Sequence, residues 1–156
     1  MVKVTKVAIN GFGRIGRAAF KYAMTKKNIK IVAINDLTDK ETLAYLLQYD
    51  TVYGRYDKKV SLTKKGIRVG STEIPVLAQP DPAKLPWKKM KIDVVLECTG
   101  FFTKKEDASK HLKAGAKNVL ISAPTKSEDV VTAVLGVNQD KAKGAKVASN
   151  ASCTTN

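Results

Sequence analysis

Apolar positions change period several times along the chain. The stretch "VTKVAIN" (4–10) alternates and then runs apolar, as a buried strand does. "RIGRAAFKYAMTKK" (14–27) switches to a helical period, and places Ile15, Ala18, Ala19 and Tyr22 on one face. "IKIVAIN" (29–35) is a second strand rich in β-branched residues, and "DKETLAYLLQY" (39–49) a second helix with Asp39 as its N-cap. Strand, helix, strand, helix over the first fifty residues predicts an α/β fold around a parallel sheet. From 59 to 77 the runs are short, alternating and broken by Gly66 and Gly70, which predicts a small antiparallel hairpin insertion. "AQPDPAKLPW" (78–87) holds three of the five prolines and reads as a loop. The pattern then resumes. "KIDVVLECTG" (91–100) is a strand, "TKKEDASKHLKAGA" (103–116) a helix with Thr103 and Glu106 as a capping box, and "KNVLISAP" (117–124) a strand. "VVTAVLGVN" (130–138) and "KVASN" (146–150) are the last strand candidates.

Composition changes this picture little. The 156 residues suit one domain with a real core, and no apolar run is long enough for a membrane helix. The start lacks the features of a signal peptide, and Cys98 and Cys153 do not form a disulfide framework, so a reducing cytoplasm is the expected setting. Charge raises a sharper question, because 28 Lys+Arg against 14 Asp+Glu give +14. A nucleic-acid partner would fit such a balance. Only four of the 28 are arginine, however, and the lysines are spread in pairs beside turns, as on ordinary solvated faces.

The chemistry starts after the first strand with "GFGRIG". Gly11, Gly13 and Gly16 have G-x-G-x-x-G spacing, follow a strand and open a helix, and Asp36 stands twenty positions on, just beyond the second strand. Gly11 allows the tight turn, Gly13 lets backbone approach a pyrophosphate, and Gly16 lets helix and strand pack closely. The amides around Arg14 and Ile15 face the phosphates at the positive end of a helix dipole. Asp36 accepts from the adenosine ribose hydroxyls and repels a 2′-phosphate, which favours NAD over NADP. This predicts a Rossmann-type, doubly wound, mostly parallel sheet. Thr99 and Ser122 also end strands at that edge, where they are readable equally as groove residues or as ordinary turn residues. Cys98, inside "VVLEC", reads as buried and inert. Cys153 sits in "SNASCTTN" among helix-capping residues, where exposed amides stabilise a thiolate and an oxyanion, so it reads as a nucleophile. The single histidine, His111, reads as a solvated residue among lysines, and the base for Cys153 is expected outside this chain.

The motifs "VAINGFGRIGR", "VAINDLTD", "LPW", "ECTGFFTKKEDASKHLKAGAKNVLISAP", "GVN" and "SNASCTTN" closely resemble the phosphorylating glyceraldehyde-3-phosphate dehydrogenases over essentially the whole chain. The resemblance implies that residues 1–150 are the NAD-binding domain and that 151–156 start an active-site helix, with the second, catalytic domain absent. It implies that Asn10, Gly11, Gly13, Arg14, Ile15, Asp36, Thr99 and Ser122 hold NAD. Ser152, Cys153 and Thr154 then meet the substrate, and no metal takes part. Cys153 attacks the aldehyde phosphate, hydride passes to nicotinamide, and inorganic phosphate releases the acyl group from the thioester. Such a chain alone binds NAD without catalysing, and the complete family forms homotetramers. Pro80 stands where many relatives carry a basic residue near the adenine. Two other readings stay open: the corresponding part of an erythrose-4-phosphate dehydrogenase, and a stand-alone dinucleotide-binding module without catalysis. A lysine-based nucleic-acid binder ranks last.

Overall fold

The computed structural model describes residues 3–152. Its main sheet has nine strands in the order β10-β11-β9-β8-β1-β2-β7-β6-β5. These are β1 (Thr5–Asn10), β2 (Ile29–Asn35), β5 (Val60–Leu62), β6 (Gly66–Val69), β7 (Thr72–Leu77), β8 (Val94–Glu97), β9 (Asn118–Ile121), β10 (Val131–Thr132) and β11 (Val147–Ser149). The six strands from β10 to β2 pair parallel, as does β7 with β2, while β5, β6 and β7 pair antiparallel. The α/β expectation and the antiparallel insertion are both met. A two-residue ribbon, β3 (Tyr49–Asp50) with β4 (Gly54–Arg55), is additional to the expected elements.

Both faces of the sheet are covered, and the alternation along β1 shows how. Val7 and Ile9 point to one side, into a cluster with Phe12, Phe20, Leu43 and Leu47. Those partners come from α1 (Arg14–Ala23), α2 (Lys40–Gln48) and the turn before α1. Ala8 points the other way, beside Ala33, Val95 and Trp87. Trp87 opens α3 (Trp87–Met90), and α4 (Lys105–Lys113) adds Ala108 and Leu112 on the same side, against Val119 and Ile121. The proline-rich stretch expected as loop thus holds a 3-10 turn at Pro82–Lys84, which Asp81 caps by accepting from the Ala83 amide, and α3 starts at its last residue.

Asp39 caps α2 as expected, accepting from the Thr42 amide at 2.7 Å, and that bond holds its carboxyl below the usual carboxylate range. Three other expectations need correction. The inward face of α1 is Gly16, Phe20 and Ala23; Ile15 and Tyr22 face outward at 52% and 64% exposure. The close approach of Gly16 to the turn and the packing of Phe20 on Phe12 go with this face. Helix α4 begins after Lys104 without a side-chain cap. Its first amide, on Lys105, donates to Ser127 Oγ from a distant loop, while the Thr103 carbonyl accepts from the Thr125 hydroxyl. A tertiary contact has replaced the local capping box. Finally, the strand expected over 130–138 is only β10, because Gly136 turns at φ +84° and Asn138 Oδ1 accepts from the Val134 amide.

The chain runs from β1 to β2 on one side, and β8 then pairs with the other side of β1. That reversal of direction opens a crevice at the carboxyl ends of β1 and β8, where open α/β sheets bind ligands. The crevice depends on how closely α1 approaches β1. A Cβ on Gly16 would sit 2.1 Å from the Gly11 carbonyl oxygen and 3.3 Å from Ile9 Cγ2. Gly16→Ala should therefore destabilise the chain by about 1–3 kcal/mol, the usual range for overpacking, as measured by denaturant unfolding. An unchanged midpoint would contradict this packing.

Candidate functional site

Four strand ends build a groove of about 330 Å³ at this edge. Asn10, Gly11 and Gly13 come from β1 and its turn, Asn35, Asp36 and Leu37 from the end of β2, Gln79 and Pro80 from beyond β7, and Cys98, Thr99, Phe101 and Phe102 from beyond β8.

The three glycines have three different reasons to be glycine. Gly11 turns at φ +89°, and a Cβ there would lie 2.7 Å from the Thr99 nitrogen. Gly16 is fixed by helix packing. Gly13 has an ordinary φ of −71°, and a Cβ on it would meet nothing within 4 Å. Among the described residues nothing requires Gly13 to lack a side chain, and it opens on the groove that it lines. Gly13 also caps α1 with no side chain to pair the helix's first amides, and Gly13 itself lines the groove. Phe12 points the other way, fully buried and edge-on to Phe20 at 5.5 Å, and anchors the turn in the core.

Asp36 is placed by the turn it faces. One carboxylate oxygen accepts from the Phe12 amide at 2.6 Å, the other from the Thr38 amide at 2.9 Å. Each oxygen keeps a free lone pair for a ligand hydroxyl, so the side chain can brace the glycine turn and grip a sugar together.

Beneath the groove lies a buried polar chain that the sequence reading missed. Asn10 Oδ1 accepts from Asn35 Nδ2 at 2.7 Å, and Asn35 exchanges two hydrogen bonds with the backbone of Gln79, both 2.9 Å. Asn10 Nδ2 donates to Glu97 Oε2 at 2.6 Å. Glu97 Oε1 accepts from the Thr99 amide at 2.8 Å and from the Thr99 hydroxyl. His111 joins Glu97 Oε2 at 2.9 Å, and its other nitrogen, Nδ1, accepts from the Trp87 indole at 2.9 Å. An indole N–H only donates, so Nδ1 carries no proton and Nε2–H donates to Glu97. His111 is therefore not a solvated surface residue: it is fully buried, on the inward face of α4 three residues after Ala108. Both its nitrogens are engaged, and it offers no base to the groove.

The groove gathers Asn10, Gly11, Gly13, Asp36 and Thr99. Arg14 points into a neighbouring depression with Arg17, Tyr45 and Arg55, and the Ile15 side chain faces outward. Ser122 ends β9 but does not line the groove; its amide donates to the Glu97 carbonyl at 3.0 Å. Ser152 follows Ala151, which has φ +61°, and Cys153 and Thr154 lie outside the described residues. Gln79, Phe101 and Phe102 line the groove without having been singled out; the aromatic pair in "TGFFT" was the available signal. Among the described residues, no helix is long and apolar enough to cross a membrane.

Cys98 fits its expected inertness. It is largely buried in the groove floor, burial pushes its thiol up to about 11, and a hydrogen bond with Ser122 offsets this only in part. In a Cys153→Ser chain, alkylation of Cys98 should be slow at neutral pH and accelerate toward pH 11. The folded state keeps this proton longer than the unfolded state, so unfolding titrations should show stability falling from about pH 9 to 11. Rapid alkylation of the folded chain at pH 7 would contradict this placement.

The groove's features match a known lineage. Residues 5–105 match the family model for the glyceraldehyde 3-phosphate dehydrogenase NAD binding domain. Glyceraldehyde-3-phosphate dehydrogenase of Geobacillus stearothermophilus is 57% identical over 153 residues, covering 97% of this chain and 45% of that protein. Glyceraldehyde-3-phosphate dehydrogenase 1 of Bacillus subtilis is 55% identical, and the Priestia megaterium enzyme 53%, with the same coverage. The chain thus spans less than half the length of these relatives. With the glycine turn, Asp36 and the sheet reversal in one groove, the chain belongs to the NAD-binding-domain family of the glyceraldehyde-3-phosphate dehydrogenases.

Proposed function

We propose that this chain is the cofactor-holding portion of an enzyme that oxidises and phosphorylates an aldehyde phosphate, and that it binds NAD but does not catalyse until a catalytic portion completes it. The groove that joins the glycine turn to the carboxylate of Asp36, in a chain that matches the NAD-binding family, carries this reading. NAD would lay its pyrophosphate on the amides of residues 13–15, its adenosine ribose on Asp36, and its nicotinamide half toward Thr99. When bound it supplies the hydride acceptor. Asn10 and Ser122 support that half from the strand ends. Ser152 and Thr154 flank Cys153, whose sulfur would form the thioester that inorganic phosphate cleaves. Glyceraldehyde-3-phosphate is the favoured substrate, with erythrose-4-phosphate second. A homotetramer in the cytoplasm is the natural assembly of the completed protein.

Two experiments test this reading. In calorimetric titrations the chain should bind NAD more tightly than NADP, because a 2′-phosphate would meet the charge of Asp36. Asp36→Ala should weaken NAD about 10- to 100-fold, the worth of one or two bonds to a charged group. Gly13→Ser separates ligand space from fold: serine is a good N-cap, so the unfolding midpoint should hold while NAD affinity falls at least about tenfold. Equal NAD binding by Gly13→Ser and the parent would defeat the assignment. Mixing the chain with the catalytic portion of the Geobacillus stearothermophilus relative, plus NAD, phosphate and glyceraldehyde-3-phosphate, should produce NADH. Production by the chain alone would contradict the division of labour, and none from the mixture would favour a binding module without catalysis.

A further inference from the structure

We propose that Glu97 is a positioning residue for the dinucleotide: it touches no ligand, yet it orients two groove residues, Thr99 and Asn10, from beneath. The inference rests on NAD occupying the groove as described above. Glu97 is 1% exposed at the end of β8. Its carboxylate receives four donors: Asn10 Nδ2, His111 Nε2, and the amide and hydroxyl of Thr99. A carboxylate can only accept, and so it dictates the direction of every neighbouring bond. Asn10 must turn its amino group toward Glu97 and its oxygen toward Asn35. Asn35, whose amide is held by both the carbonyl and the N–H of Gln79, offers Nδ2 to that oxygen. Asn10 is thus matched to Glu97 on one side and to the Gln79-held Asn35 on the other, in one chain across β8, β1, β2 and the loop after β7. The two outlets, Thr99 and Gln79, are both groove walls, on opposite sides of the glycine turn.

His111 and Trp87 close the chain on its far side. The indole fixes the histidine tautomer that donates to Glu97, and neither residue lines the groove. The network therefore has a positioning arm and an anchoring arm, which an experiment can tell apart. Glu97→Gln keeps the shape but turns one acceptor into a donor. Its new amino group faces either the Thr99 donors or those of Asn10 and His111. Relief by flipping Asn10 would confront Asn35 with the wrong partner, and the error would pass on to Gln79. Trp87→Phe removes the indole donor but leaves the carboxylate, which itself favours the Nε2–H tautomer of His111, and leaves the donors of Asn10 and Thr99 untouched.

NAD binding should be measured by calorimetry in the parent chain, Glu97→Gln, Trp87→Phe, Thr99→Val and the double variant Glu97→Gln/Thr99→Val, with unfolding midpoints for each. Glu97→Gln should weaken NAD about tenfold. Trp87→Phe should lower the midpoint and leave affinity within about twofold of the parent. The double variant should bind no more weakly than Glu97→Gln by more than about twofold, since the two act through one contact. Unchanged affinity in Glu97→Gln, additive losses in the double variant, or equal losses in Glu97→Gln and Trp87→Phe would each overturn the proposal. If Glu97→Gln does not fold, Glu97→Asp, which keeps the charge and shortens its reach, decides on the same tenfold criterion. Failure of both to fold makes Glu97 a determinant of the fold and also overturns the proposal. Failure of the parent to bind NAD would instead sink the groove assignment itself.

Discussion

Three pieces of backbone meet at the carboxyl end of β1 with no room for a methyl group between them. Gly11 lies against residues 98 and 99, and Gly16 lies against the Gly11 carbonyl. This steric constraint brings the first turn of α1 over the sheet edge and its free amides to the mouth of the groove. The same constraint decides which face of α1 is buried, and so leaves Ile15 and Tyr22 outside. Gly13, between the two, is under no such pressure. The fold is therefore tight on both sides of the position a phosphate would occupy and open at that position.

A second layer of order is polar. The strand ends of an open sheet would leave buried amides and carboxylates unpaired at high cost. Here Asn10, Asn35 and Glu97 tie the ends of β1, β2 and β8 into one edge, and His111 joins that edge to α4. The exposed ion pairs, such as Lys105 with Asp129 and Arg68 with Glu73, contribute little by comparison. With many lysines spread along the chain, the +14 charge does not explain the groove.

Much of the site was legible in the sequence because its signals are local. The glycine spacing, the strand before it, the helix after it and the acid at the end of the second strand all fall within the first thirty-six residues. Asp39 as a cap is equally local. What was not legible depends on distant partners. Ser127 takes the amide that Thr103 was expected to cap, and nothing within α4 announces that. His111 lies between lysines in sequence, yet the helical turn carries it inward to a tryptophan twenty-four residues earlier. Glu97 looks like a stray charge in an apolar strand, and its four donors come from β1, α4 and the next turn. Spacing assigned the three glycines separate roles, and the backbone bears out the two that concern the fold: Gly11 turns at positive φ against residue 99, and Gly16 packs on the Gly11 carbonyl.

The account's central claim concerns where a dinucleotide lies. A crystal structure of this chain grown with saturating NAD tests it most directly. The pyrophosphate should rest against the amides of residues 13–15 in the space before Gly13, with the adenosine ribose hydroxyls on Asp36. An ordered fold with that space empty and accessible, or with NAD bound at another edge of the sheet, would contradict it.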